Sequence, residues 1–90
     1  MTLQEREARA CAIIDSMAQE LRAVSLYLHD NPELGLNEHK AVKAIHQFLE
    51  KQNFISQVGL ADIRELQTAL RADYRGNAKY KIAFLGEYDA

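Results

Sequence analysis

Residues 37–59, NEHKAVKAIHQFLEKQNFISQVG, contain the change of pattern that decides the fold. Asn37 is suited to cap a helix at its start, and Asn53, which tolerates left-handed backbone, is suited to close it. Residues 54–58 then predict a short strand that ends at Gly59. The helix is predicted to bury one apolar face, made by Ala41, Val42, Ile45, Phe48 and Leu49.

A long amphipathic helix is predicted before this stretch. Thr2 and Glu5 have the spacing of a capping box, which marks the start of a helix. The chain should leave helical geometry between His29 and Asn31, because Pro32 disfavours the helical conformation of the residue before it. The apolar stripe of this helix, which we expect to pack in the core, consists of Ala10, Ile14, Met17, Leu21, Val24 and Leu28.

The stretch after Gly59 is ambiguous between helix and strand. Apolar residues from Leu60 to Tyr74 fit helical spacing, whereas residues 67–74 also alternate as a half-buried strand would. Turn-forming residues at 75–78 are followed by a run that favours strand, so we predict a hairpin of residues 67–74 with residues 79–86. A short helical turn around Asp62 to Leu66 remains possible.

These elements predict an α/β fold in the order helix, helix, strand, strand, strand, with two antiparallel helices packed on a small sheet. Residues 1–90 should form one unit, since no linker or internal repeat divides them. One face and one edge of such a sheet would be bare. The uncharged run Ile82-Ala83-Phe84-Leu85 is typical of a strand covered on both sides, so we expect the chain to be an incomplete piece of a larger α/β domain.

Composition excludes several classes of function. A net charge of −2 and a pI of about 5.9 do not provide the basic surface that nucleic acids require. No uncharged run is long enough to cross a membrane, and the charged N-terminus does not resemble an export signal. The single cysteine, Cys11, cannot form an internal disulfide, which is typical of a reducing compartment. We therefore expect a cytoplasmic protein that binds neither nucleic acid nor membrane.

Glu87 and Asp89 are the candidate functional residues. They follow the predicted terminal strand two residues apart, so in extended backbone both side chains project to one side, next to Gly86. Ligands of open α/β sheets bind at such strand ends. Two carboxylates do not complete a catalytic zinc site, which takes three protein ligands. The three histidines show no close ligand pair, so they are interpreted as surface or helix-end residues: His29, His39 and His46.

Two segments resemble the N-terminal region of the M20 metallopeptidase and amidohydrolase family. They are residues 27–54, YLHDNPELGLNEHKAVKAIHQFLEKQNF, and residues 68–90, TALRADYRGNAKYKIAFLGEYDA. The branch that looks nearest contains aminobenzoyl-glutamate hydrolases, aminoacylase-like proteins and M20 domain-containing dipeptidases. In that branch a Leu-His-x-x-Pro-Glu-Leu segment leads into the second helix, and a Gly-Glu-Tyr-Asp-Ala strand end continues as Leu-Pro.

The resemblance implies that the chain is the N-terminal part of a metal-dependent amidohydrolase. Asp89 matches the family's acid that orients a metal ligand, whereas Glu87 stands where other branches place a metal-binding histidine. A divalent metal, zinc or manganese, is implied for the full-length parent, with its ligands and general base beyond Ala90. The implied substrates are small N-acyl amino acids, dipeptides or aminobenzoyl-glutamate-like amides. The isolated chain is expected to bind no metal and to be inactive.

A different class of function fits the same residues. The chain would then be a small non-enzymatic interaction module that binds a partner through an exposed edge strand. Whether the protein continues past Ala90 with a Leu-Pro and then a Cys-Gly-His segment separates the two interpretations. In either case we expect the strand at residues 80–86, if uncovered, to cause self-association into a homo-oligomer.

Overall fold

The computed structural model describes residues 1–59, 66–74 and 76–90. Within them lie three helices and a two-stranded antiparallel sheet, which confirms the α/β class. The elements in chain order are α1 (Leu3–Ser16), α2 (Ala18–Asp30), α3 (His39–Lys51), β1 (Ile55–Val58) and β2 (Leu70–Asp73). The possible helical turn at 62–66 falls largely outside the described residues.

None of the helices in the described part of the chain combines the length and the apolar character needed to cross a lipid bilayer.

The predicted long N-terminal helix is two helices that meet at Met17. The Thr2 hydroxyl accepts the backbone N–H of Glu5 at 3.1 Å, which confirms the predicted helix start. The Ser16 hydroxyl donates to the carbonyl of Ile13 at 2.6 Å, and the Met17 N–H is shared between the carbonyls of Ile13 and Ile14. Such a serine bond competes with the helical ladder for the same carbonyl, at the point where the helix is interrupted.

The core lies on α3 rather than on the N-terminal helix. Val42 is 4% exposed and Ala41 is also buried, whereas α1 buries no residue. The predicted packing of the α1 stripe is therefore wrong: Ile14 is exposed, because α1 contacts only its neighbour α2 among the described elements. Helix α3 instead contacts α2 and both strands.

The sheet pairs β1 with β2, in the register Ile55 opposite Asp73. Gly59 follows β1 with a φ of 77°, a left-handed value that favours glycine, and its N–H donates to the carbonyl of Ala69 at 2.7 Å. At the other end of the ladder the rings of Phe54 and Tyr74 lie 5.4 Å apart between centroids. The two strands predicted before residue 75 are therefore present. They pair with each other, whereas the prediction paired residues 67–74 with residues 79–86.

The predicted strand at residues 79–86 is absent, and so is its hairpin with residues 67–74. Residues 76–90 contain neither helix nor strand, and Phe84 is 95% exposed. Strand preference reflects packing against a neighbouring strand more than an intrinsic backbone tendency. Within the described part of the chain, the apolar run at 82–85 has no strand beside it.

Truncating Val42 should test whether α3 contains the core. We expect Val42→Ala to lower the free energy of unfolding by about 2 kcal/mol, because it removes buried methyl groups and leaves a cavity. Urea denaturation followed by circular dichroism measures the change. The control is Leu3→Ala on exposed α1, for which we expect a change of no more than about 0.5 kcal/mol. Equal effects of the two substitutions would contradict this assignment of the core.

Candidate functional site

The two segments that carry the family resemblance meet in space. The loop between α2 and α3, residues 31–38, lies against the terminal residues 85–90, with Thr68 between them. Together they border a cleft of about 270 Å³, whose lining includes Leu36, Glu38, Thr68, Glu87, Tyr88 and Asp89. We call this space the loop cleft.

Glu33 joins the loop to helix α3. Its carboxylate accepts the backbone N–H of Lys40 at 3.0 Å and that of Ala41 at 2.9 Å, two donors that have no partner within the helix. The predicted cap, Asn37, does not take this role, and the flanking residue Glu38 makes no side-chain cap either. The hydrogen bond from Lys40, together with that from Ala41 and the nearby positive charges, lowers the pKa of Glu33.

Glu33 also fixes the end of the chain. Its backbone carbonyl accepts the N–H of Ala90 at 2.6 Å, so one residue contacts both the start of α3 and the terminal segment. This bond places the residues before Ala90, among them Asp89, beside the loop.

A polar cluster of Glu38, Thr68 and Tyr88 forms one wall of the loop cleft. The hydroxyl of Thr68, which is 3% exposed, donates to the Glu38 carboxylate at 3.2 Å. The Tyr88 hydroxyl donates to the backbone carbonyl of Thr68. Partial burial and, secondarily, the negative charge of Glu38 raise the pKa of Tyr88, so this phenol stays protonated and acts as a donor.

Both predicted carboxylates border the loop cleft. An Oδ oxygen of Asp89 lies 3.8 Å from the position that a Cβ on Gly35 would occupy, so the carboxylate lies against the backbone of the loop. The next residue in the loop, Leu36, has a φ of 73°, a left-handed conformation that is uncommon for a leucine. Glu87 also lines the cleft and is exposed.

The described residues do not fit a metal ion. No three side chains of His, Cys, Asp or Glu come together within residues 1–59, 66–74 and 76–90. His46 has a structural position instead: its Nδ1 lies 2.7 Å from the Ser56 hydroxyl, and its Nε2 lies 2.9 Å from the Glu50 carboxylate. His46 thus connects α3 to β1, away from the loop cleft.

A larger groove of about 610 Å³ lies between α2 and α3. Its lining is mostly apolar, with Tyr27 and Phe48, and lysines that include Lys40 and Lys43. We do not assign the site to this groove, because it contains neither of the predicted carboxylates.

Sequence reasoning proposed Glu87 and Asp89, which border the cleft, but missed the neighbouring polar residues that make its hydrogen bonds. Glu33 and Tyr88 stand inside the segments that carry the resemblance, and that location is the only signal that could have pointed to them. Thr68 gave no signal, because a single threonine in an ambiguous stretch does not predict a buried hydroxyl.

The chain is similar to curated hydrolases over part of their length. It is 39% identical to an uncharacterized hydrolase of Staphylococcus haemolyticus over 64 residues. These aligned residues cover 71% of this chain and 15% of that protein. An uncharacterized hydrolase of Staphylococcus saprophyticus is 36% identical over 64 residues, which again cover 71% of this chain and 15% of that protein. The Xaa-Arg dipeptidase of Mus musculus is 32% identical over 94 aligned positions, which cover 98% of this chain and 22% of that protein.

The chain thus spans between 15% and 22% of the length of these relatives. No family model matches it, and no solved structure matches it at a significant level.

Acid should destabilise the protein in part through Glu33. Because its pKa in the folded state is lowered below the ordinary value of 4.5, Glu33 stabilises the fold above that pH, and this contribution is lost as the pH falls through the folded-state value. We expect Glu33→Gln to be less stable than the wild type at pH 7 and to lose less stability between pH 5 and about pH 3, as measured by thermal unfolding.

The control for the loss of one carboxylate is Glu7→Gln, a change on exposed α1. If Glu33→Gln and Glu7→Gln gave the same stability at pH 7 and the same acid profile, the capping role of Glu33 would be wrong.

Tyr88 should stabilise the terminal segment by its hydroxyl. We expect Tyr88→Phe to lower the free energy of unfolding by about 1 kcal/mol, because the carbonyl of buried Thr68 loses its donor. Urea denaturation at pH 7 measures the change, and Tyr80→Phe, at a residue that is 77% exposed, is the matched control. A Tyr88→Phe variant as stable as the control would show that the bond adds nothing to stability.

Proposed function

We propose that the chain is part of a metal-dependent amide hydrolase of the M20 type, whose substrates are small N-acyl amino acids, dipeptides or aminobenzoyl-glutamate-like compounds. The observation that carries the proposal is the similarity to the Xaa-Arg dipeptidase over 98% of the chain. The names of the two staphylococcal relatives support the same broad class of reaction. The contact between residues 31–38 and 85–90 supports it further, because both segments of the resemblance then belong to one site.

In this proposal Asp89 is a positioning residue. A carboxylate that hydrogen-bonds a metal ligand fixes the orientation and the basicity of that ligand. The contact of Asp89 with the loop at Gly35, and the bond from Ala90 to Glu33, hold this carboxylate at a defined place. Glu87, which is exposed and lines the cleft, is the second candidate.

The described residues do not supply a divalent metal site, so the proposed enzyme needs ligands from other residues. The metal, zinc or manganese, would supply the activated water and polarise the scissile carbonyl. We therefore expect the chain by itself to release no product from any of these substrates.

A second candidate is a non-enzymatic module that binds a partner through the terminal segment. It is favoured by the exposure of the apolar residues there, since Ile82 is 82% and Leu85 is 97% exposed. A segment with strand preference and free backbone groups is suited to β-augmentation.

A chimera tests the hydrolase proposal. The segment of the mouse Xaa-Arg dipeptidase that aligns with this chain would be replaced by residues 1–90, and hydrolysis of Xaa-Arg dipeptides would be measured with added metal. We expect the chimera to keep activity within roughly tenfold of the parent. In the chimera, Asp89→Asn should lower kcat/KM and metal affinity by about 10- to 100-fold without changing the thermal midpoint.

The matched control is Glu7→Gln in the same chimera, which changes an exposed carboxylate far from the loop cleft in sequence and should leave kcat/KM unchanged. A folded chimera without activity, or an Asp89→Asn chimera with full activity and metal affinity, would contradict the proposal.

A further inference from the structure

Asp89 stands between two hydrogen bonds that its neighbours in the chain make. Before it, the Tyr88 hydroxyl donates to the backbone carbonyl of Thr68. After it, the Ala90 N–H donates to the backbone carbonyl of Glu33 at 2.6 Å. None of the hydrogen bonds and ion pairs among the described residues involves the Asp89 carboxylate itself. The position of this carboxylate therefore depends on the two bonds that flank it.

Thr68 is a fixed point for the first of these bonds. It is 3% exposed, and it stands two residues before β2. Its hydroxyl donates to the Glu38 carboxylate at 3.2 Å, so both its backbone and its side chain are held. Partial burial and, next, the charge of Glu38 raise the pKa of Tyr88, which keeps the phenol protonated as the donor to Thr68.

Glu33 is a fixed point for the second bond. Its carboxylate accepts the N–H groups of Lys40 and Ala41 at the start of α3, at 3.0 Å and 2.9 Å. The two bonds that flank Asp89 thus lead to different elements of the fold, one to the residues before β2 and the other to α3.

Two such bonds restrict the backbone of Asp89. A residue has two soft backbone dihedrals, so fixing the residues before and after it leaves little freedom in the direction of its side chain. The side chain then chooses among a few staggered rotamers. On the loop side, an Oδ oxygen of Asp89 lies 3.8 Å from the position that a Cβ on Gly35 would occupy, so the backbone of the loop lies against the carboxylate.

We propose that Tyr88 is a positioning residue that sets the orientation of the Asp89 carboxylate. Of the two flanking bonds, only the one from Tyr88 depends on a side chain, since the other joins backbone groups that most residue types supply. A carboxylate that orients a ligand must itself be held within roughly 0.5 Å and 10–20°. The use of this orientation, to hold a ligand of the reactive centre, rests on the proposed function.

The first measurement is nuclear magnetic relaxation of the 90-residue protein. We expect a backbone order parameter of about 0.85 for Asp89, as in rigid backbone, and a fall below about 0.6 in Tyr88→Phe, which keeps the ring and loses the donor. The couplings across the Cα–Cβ bond of Asp89 should indicate one rotamer in the wild type and several in the variant. The matched control is Tyr74→Phe, which removes a hydroxyl from a ring that packs on Phe54 and does not line the loop cleft. It should keep the wild-type values.

The second measurement is a double-mutant cycle on kcat/KM in the chimera with the mouse dipeptidase. Tyr88→Phe should lower kcat/KM by about fivefold to tenfold, less than Asp89→Asn does, because the carboxylate is still present. In the Asp89→Asn background the same change should cost less than about twofold, because no carboxylate remains to be oriented. A bond with a merely structural role would cost the same factor in both backgrounds. All chimeras are assayed well below their thermal midpoints, and Tyr74→Phe should leave kcat/KM unchanged.

Two results would overturn the proposal. One is an order parameter of Asp89 that is equal in the wild type and in Tyr88→Phe. The other is an active chimera in which Tyr88→Phe lowers kcat/KM by the same factor in both backgrounds, or in neither. A chimera without activity would contradict the proposed function instead, and the relaxation of Asp89 would then decide this proposal alone. The two failures are thus distinguishable.

Discussion

The arrangement of the loop cleft depends on the hydrogen bonds of Glu33. Its carboxylate caps α3 from seven and eight residues upstream, and its backbone carbonyl accepts the N–H of Ala90. A helix begins with N–H groups that lack partners, and an anionic acceptor there is favoured by both hydrogen bonding and the helix dipole. The bond that defines the start of α3 therefore also defines the path of the loop. The terminal residues follow that path, and so does the position of Asp89.

Local signals explain which parts of the fold could be predicted. Helix α3 and strand β1 follow from an apolar stripe and a short β-leaning run, and Asn53 adopts the expected left-handed turn with a φ of 69°. The interruption at Met17 could not be predicted, because a serine bond to its own helix leaves no mark on the apolar spacing. The strand expected at 79–86 failed for a related reason: local preference does not state which partner a strand will have.

The site shows the same division between local and distant information. The pair Glu87 and Asp89 was visible as two acids after an apolar run. The cluster that holds them was not, because Thr68 contacts Glu38 across 30 residues and Tyr88 across 20 residues of sequence. Buried polar groups need partners, so a fold recruits whichever donors its packing brings near. Their identity follows from the tertiary structure rather than from any spacing along the chain.

The polar residues of the loop cleft hold one another and the backbone in place. Each hydrogen bond in it either caps a helix, satisfies buried Thr68 or anchors the chain end, and the described residues gather no three metal-binding side chains. A rigid support of this kind is what a carboxylate needs if it is to orient a ligand that another part of a protein supplies. In the proposed function, the loop cleft would hold Asp89 in place for a centre that other residues supply.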